Sequence, residues 1–151
     1  MSASFSTRHH FVVRLLARHL PTSHVEVPLP NSTLRMDLMI PVATSFQACD
    51  VTIVASRPNQ ACLDTVFKRA TLQKQSKYSS FLTRGTFSDF VPFVAGPFGH
   101  LSSQALDFLA QHFKEKETFT RVRAFVSFAI ARGTAKSILC WTRRSFPPLI
   151  T

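Results

Sequence analysis

The sequence is short of several residue types, and each shortage removes a class of protein. Glycine occurs four times in 151 residues, with no G-X-Y period, which excludes a collagen-like fibre. The three cysteines, Cys49, Cys62 and Cys140, are odd in number and show no C-x-x-C spacing. Neither a disulfide framework nor a cysteine-based zinc site is expected, and a reducing compartment fits better. No apolar stretch approaches the roughly 20 residues that span a bilayer; the cleanest apolar run lies near Ala124–Ala131. Charged residues make up only 17%, below the roughly 25% of an average domain. Acids are scarcer still: 8 Asp and Glu against 18 Lys and Arg, a formal charge of +10. None follows Glu117, whereas Arg121, Arg123, Arg132, Lys136, Arg143 and Arg144 do. Six cations without an anion favour a polyanionic partner, either nucleic acid or an anionic membrane.

What is present argues for a filled globular domain. Apolar residues make up 45%, too many for a disordered chain, and the length suits one domain with a real core. The aromatic content is lopsided, with 15 Phe, one Tyr and one Trp, and reads as core material.

Periodicity yields an ordered series of elements. Residues 1–7 read as a disordered N-terminus, with Ser6 or Thr7 capping a helix over 8–20 that Pro21 ends. Val25, Val27 and Leu29 alternate as a short strand, and Leu34–Ile40 as a second. Pro41–Gln47 reads as a hairpin loop before a β-rich strand at 48–55. Pro58-Asn59 opens a helix to Leu82, with Leu63, Val66, Phe67, Ala70, Tyr78 and Phe81 as buried candidates. Phe90–Ala95 is a strand whose internal Pro92 favours an edge or a bulge. Ser102 or Ser103 caps a further helix to Phe113. Another starts at Thr118 or Thr120, turns Phe119, Val122, Phe125, Val126, Ala129 and Ile130 inward and ends at Gly133. A last one carries Ile138, Leu139 and Trp141 as packing residues. The expectation is one α/β domain, with a core over 8–113 and a basic helical C-terminal extension over 114–151. Cys49 and Cys62 read as core thiols, His9 and His10 as surface or packing residues, and His100 as a loop residue.

Two of the few acids stand out. Asp37 and Asp50 are 13 residues apart. In a hairpin centred between Ala43 and Thr44 they face each other, with Cβ atoms roughly 4.5–5.5 Å apart. Two carboxylates so placed repel unless neutralised, and a divalent cation with oxygen ligands does this well. Asp50 also follows Cys49 in an otherwise apolar strand, a costly place for an idle charge. The next helix carries Lys74, Lys77 and Tyr78 in KQSKY. A lysine over the carboxylates can hold an attacking water or offset developing negative charge.

These residues resemble the restriction-like endonuclease domain of site-specific non-LTR retrotransposons, of the PD-(D/E)XK superfamily, found at the C-terminal end of the reverse transcriptase polyprotein. The likeness lies in R-M-D at 35–37 with a second acid in CDVTIV, then KQSKY and FVPFVAGPFG. The opening RHHFVVRLLARHL and the later RVRAFVSFAIARGTA are also similar, so it spans about residues 8–140. It implies an αβββαβ restriction-endonuclease-like core with additional C-terminal helices. It implies Mg²⁺ (or Mn²⁺) on Asp37 and Asp50, and Lys77 or Lys74 as catalytic lysine with Tyr78 packing or orienting it. Arg35, Lys74, Tyr78, Arg121, Arg123, Arg143 and Arg144 would bind nucleic acid. Departures are Met36 where a proline is usual, Thr52 where a lysine is frequent, and Gly96 where an acid is expected.

The expected function is therefore Mg²⁺-dependent nicking of target DNA, with RNA as another partner, in a nuclear or cytoplasmic setting. The family carries polymerase and zinc-knuckle modules upstream, which this sequence does not contain, so it reads as a detached or degenerate piece of such an element. One alternative is a catalytically inactive nucleic-acid-binding relic of the same fold. Another is a mitochondrially targeted or membrane-associated protein, since residues 1–25 hold Arg8, Arg14 and Arg18 and no acid.

Overall fold

The computed structural model describes residues 3–55 and 62–145. Helix α1 (Ala3–His19) leads into strands β1 (His24–Pro28), β2 (Arg35–Val42) and β3 (Ser45–Ile53). Helix α2 (Leu63–Thr83), strand β4 (Asp89–Ala95) and helices α3 (Ser103–His112) and α4 (Lys116–Ser145) follow. The four strands form one mixed sheet in the order β1-β2-β3-β4, antiparallel except for the parallel β3–β4 pair. The α2 crossover makes that parallel pairing possible, because parallel neighbours need a long connection. The chain is thus mixed α/β, and its elements follow the order read from the sequence as far as α3.

Two apolar layers flank the sheet. On one face, Val12, Val13 and Leu16 of α1, Ala105, Phe108 and Leu109 of α3, and Val122, Val126 and Ile130 of α4 pack on Leu38, Cys49, Val51 and Phe93. On the other, Tyr78 and Phe81 of α2 pack on Met36, Met39 and Ala48, and Phe67 and Ala70 pack on Val94. The first half of α4 therefore belongs to the same core as the sheet, and the boundary read at 113/114 does not separate two cores. Burying one Leu, Val or Phe side chain contributes about 1.5–3 kcal/mol, so this layer cannot be shed without unfolding the domain.

Several expectations are corrected. Helix α1 starts at Ala3, so the segment expected to be disordered is helical from there, and Ser6 and Thr7 lie inside the helix. No Pro or Gly interrupts residues 3–8, and an existing helix propagates readily through such sequence. The hairpin loop shrinks to Ala43-Thr44, since Pro41 pairs with Phe46 and Val42 with Ser45. Ala43 takes φ 51°, as tight two-residue hairpins require. Pro41 is tolerated because β1 pairs with β2 only as far as Met39. Pro92 lies on the edge strand, as expected. The proposed start at Pro58-Asn59 lies outside the described residues.

The two expected C-terminal helices are one continuous α4, running through Gly133 from Lys116 and capped by neither Thr118 nor Thr120. Gly133 is no terminator: a Cβ there would run into the Arg8 Cγ. Glycine there leaves room for the Arg8 stem of α1. Phe125, Ile138, Leu139 and Trp141 are exposed, because the core-facing stripe of α4 is already filled by Val122, Val126 and Ile130. Cys49 is buried, while Cys62 is exposed ahead of α2. Ser102 caps α3, its hydroxyl accepting from the Ala105 N–H at 3.2 Å. Among the described residues no helix is long and apolar enough to cross a membrane.

Candidate functional site

The β2–β3 register places the two acids. Pairs run from Val42↔Ser45 to Leu38↔Cys49 and stop there, so Asp37 and Asp50 each lie one residue past the last pair. The strand is irregular at that point. Met36 packs with the α2 layer and Leu38 with the α1 layer, although residues two apart in a regular strand share a face. On the β1 side the neighbouring Glu26 takes φ 52°, a left-handed conformation uncommon outside glycine. The Asp37 carboxylate turns back into the ladder. Its Oδ2 accepts from the Val51 N–H at 2.7 Å and lies 2.9 Å from His9 Nε2 of α1. Local breaks of this kind re-aim a side chain and recur near active sites.

Asp50 is only 4% exposed and faces α2. Tyr78 donates its hydroxyl to Oδ1 at 3.0 Å, and Thr52 donates to Oδ2 at 3.3 Å. The Lys74 ammonium lies 2.8 Å from Oδ2. Lys74 and Tyr78 are i,i+4 on one helix face, so both reach the same carboxylate.

The electrostatics follow from these contacts. The hydrogen bond to Asp37 raises the His9 pKa, with the charges of Asp37 and Asp50 adding to it against burial. Burial, then the charge of Asp50, pushes the Tyr78 hydroxyl far above its ordinary value, so Tyr78 remains a proton donor. Burial, with both aspartates adding, likewise keeps the Cys49 thiol protonated. Both carboxylate charges thus act on His9, Tyr78 and Cys49, which marks them as one electrostatic centre.

No protein-family model matches this chain, and no curated protein matches it. What the site can do therefore rests on its own donors. Among the described residues no three His, Cys, Asp or Glu side chains are grouped to hold a metal. Mg²⁺, however, is commonly held by one or two carboxylates, with water and phosphate oxygens completing its shell. Asp37 Oδ1 accepts no hydrogen bond among the described residues, and each carboxylate oxygen has further lone pairs. Asp37 and Asp50 supply the oxygen donors that such a cation takes.

The remaining expected site residues divide. Lys77 is exposed and lies over the Tyr78 ring, 5.2 Å from its centroid; Lys74, not Lys77, meets the acid. Arg35 is exposed at the start of β2. Arg121 and Arg123 are exposed on α4, in the layer across the sheet from Asp50. Arg143 and Arg144 fall in α4, with side chains outside the described residues. Asp50 pairs with Pro92, so Gly96 stands four residues further along β4, about 13 Å away at strand rise. Its neighbours are Leu63, Phe67 and His100, and an acid there would not join the Asp37–Asp50 pair.

His9 escaped the sequence reading, because an isolated histidine in a helix carries no sign of a partner 28 residues away. Lys74 did carry a signal. The buried stripe of α2 runs Phe67, Ala70, Tyr78, Phe81, and position 74 fills its only gap at i+4 spacing. A lysine standing in an apolar stripe is there for a buried partner.

Proposed function

We propose that this chain is a metal-dependent endonuclease domain acting on DNA. In this reading it is built on an αβββαβ restriction-endonuclease-like core and related to the endonuclease domain of non-LTR retrotransposon polyproteins. The observation that carries the reading is Lys74: it meets Asp50 at 2.8 Å, just past the end of the β2–β3 ladder where Asp37 also lies. A divalent cation held by Asp37 and Asp50 would lower the pKa of water and offset charge on a phosphodiester. The residues divide the remaining work. Tyr78 and Thr52 hold the Asp50 carboxylate from the α2 side and along β3. The Val51 N–H and His9 hold that of Asp37. Lys74, a quarter exposed, can turn an N–H toward a non-bridging phosphate oxygen or an attacking water. Tyr78 stays protonated and so takes no proton from that water. Gly96 does not weigh against the reading, since its position is remote from the pair.

A second reading rests on a specific observation. The repulsion assigned above to a metal is already relieved within the protein, Lys74 serving Asp50 and His9 serving Asp37. That arrangement also suits a nucleic-acid-binding domain of the same fold that has no catalysis. Nicking of supercoiled plasmid in Mg²⁺ or Mn²⁺ separates the two. The nuclease reading expects relaxed circles with wild type and none above background with Asp50→Asn. Equal activity of the two proteins, or no activity in either metal, leaves the binding reading.

A further inference from the structure

Away from the acid pair, the outer face of α4 carries an unusual surface. Arg121, Phe125, Phe128, Arg132 and Lys136 follow one another at steps of three or four residues, so they form one stripe about 22 Å long at helical rise. Phe125 is 47% and Phe128 65% exposed. Phe11 of α1, 56% exposed, faces them across a groove of about 470 Å³. Arg132 and Lys136 line the same groove, and no acid does. Gly133 also lines it, beside the Arg8 stem.

We propose that this α1–α4 groove binds single-stranded nucleic acid, its phenylalanines stacking on bases and its cations following the phosphates. Three features favour this occupant. Rings and cations share the stripe, Phe125 and Phe128 standing together between Arg121 on one side and Arg132 and Lys136 on the other, so a strand can lay bases on the rings while its phosphates meet the flanking cations. No acid follows Glu117 in the chain, so the groove carries no element that repels a polyanion. The third feature disfavours a lipid surface. A membrane-surface helix needs its apolar face free and segregated from its charges, whereas Val122, Val126 and Ile130 of α4 are buried in the core.

The inference rests on the nucleic-acid reading above but not on the metal site. The groove contacts α1 through Phe11 and Leu15, while His9 of the same helix turns to Asp37. A strand in the groove would therefore lie on the other side of α1 from the acids, flanking the place where a duplex would be cut. Stacking ignores base identity because every base has a ring face, so little sequence preference is expected.

The test is fluorescence anisotropy with a short labelled single-stranded DNA of mixed sequence, in EDTA. A duplex of the same sequence and phosphatidylserine vesicles serve as the other ligands. Wild type should bind the single strand more tightly than the duplex. Phe128→Ala and Phe128→Leu should each weaken that binding at least about fivefold, since stacking on one ring contributes at least that much. Arg132→Gln should lower the salt dependence by about 0.7 log unit per log unit of salt. Phe98→Ala, which removes an exposed ring that does not line the groove, should change nothing. Full binding by Phe128→Leu overturns the inference, because it shows apolar cover without stacking. So does equal affinity for duplex, or vesicle binding without strand binding. EDTA keeps the outcome separate from catalysis: strand binding without nicking fails the nuclease reading alone, and nicking without strand binding fails this inference alone.

Discussion

Lys74→Met tests the coupling at the centre of the site. The substitution keeps the length of the side chain in the α2 stripe and removes its charge. Asp50 is then left nearly buried with two hydroxyl donors, Tyr78 and Thr52. Breaking a fully buried ion pair costs about 3–5 kcal/mol. Here the Lys74 side chain is 25% exposed, against 6% for Asp50, and the two hydroxyls remain, so about 2 kcal/mol is the expected cost. In a domain of this size that lowers Tm by roughly 4–8 °C. Asp50→Asn should cost about 1 kcal/mol, since the lysine it strands can turn toward water. The double variant removes both charges and should be more stable than the sum of the single effects by about 1–2 kcal/mol. Urea unfolding of the four proteins measures this directly. A coupling energy indistinguishable from zero would refute the argument that Lys74 stands in the stripe for the sake of Asp50.

Other expectations are equally concrete. Gly133→Ala gains about 1 kcal/mol of helix propensity but drives a methyl into the Arg8 stem and strains the Arg8–Thr134 hydrogen bond of 2.6 Å. A net loss of about 1–2 kcal/mol in urea unfolding is expected, and a stabilised variant would contradict the packing described. Ser102→Ala should cost about 1 kcal/mol through loss of the α3 cap. Burial lowers the His112 pKa, so its neutral form, donating to Gln47 Oε1 at 2.6 Å, is the one the fold favours. That contribution is complete above pH 6.5 and is lost as the pH falls below it; the stability gap between wild type and His112→Gln should narrow on going from pH 7.5 to about pH 5.5. His9 behaves oppositely, because its pKa is raised. The advantage over His9→Gln is complete below pH 6.5 and fades as the pH climbs through the raised value.

Much of the sheet was legible because strand pairing in a hairpin is determined by its turn. Once Ala43-Thr44 is recognised as the centre, Leu38 must meet Cys49, the pair at which the ladder ends, with Asp37 and Asp50 the next residues on either strand. The alternation of Val51, Ile53, Phe93 and Ala95 into one layer follows from the period of a strand in the same way. Helices were less legible where tertiary contact overrode local signals. Gly133 looked like a stop and is an approach site for Arg8. Phe125 and Trp141 looked like core and are exposed, because a helix has one core-facing stripe and α4 had filled it. In the site, Asp37, Asp50 and Tyr78 could be read from spacing. The preference for Lys74 over Lys77 needed the buried stripe of α2, and the His9 contact needed the docking of α1, which no local pattern encodes.

Under the proposed function, Asp50 and Lys74 act together on a phosphodiester. Single-turnover nicking of supercoiled plasmid in Mn²⁺ by wild type, Lys74→Ala and Lys77→Ala tests it most directly. Lys77→Ala, whose lysine lies over the Tyr78 ring, should nick within a few-fold of wild type, while Lys74→Ala should lose at least about 100-fold, as removal of one charge-stabilising donor does elsewhere. Nicking by Lys74→Ala at the wild-type rate, or loss confined to Lys77→Ala, would contradict it.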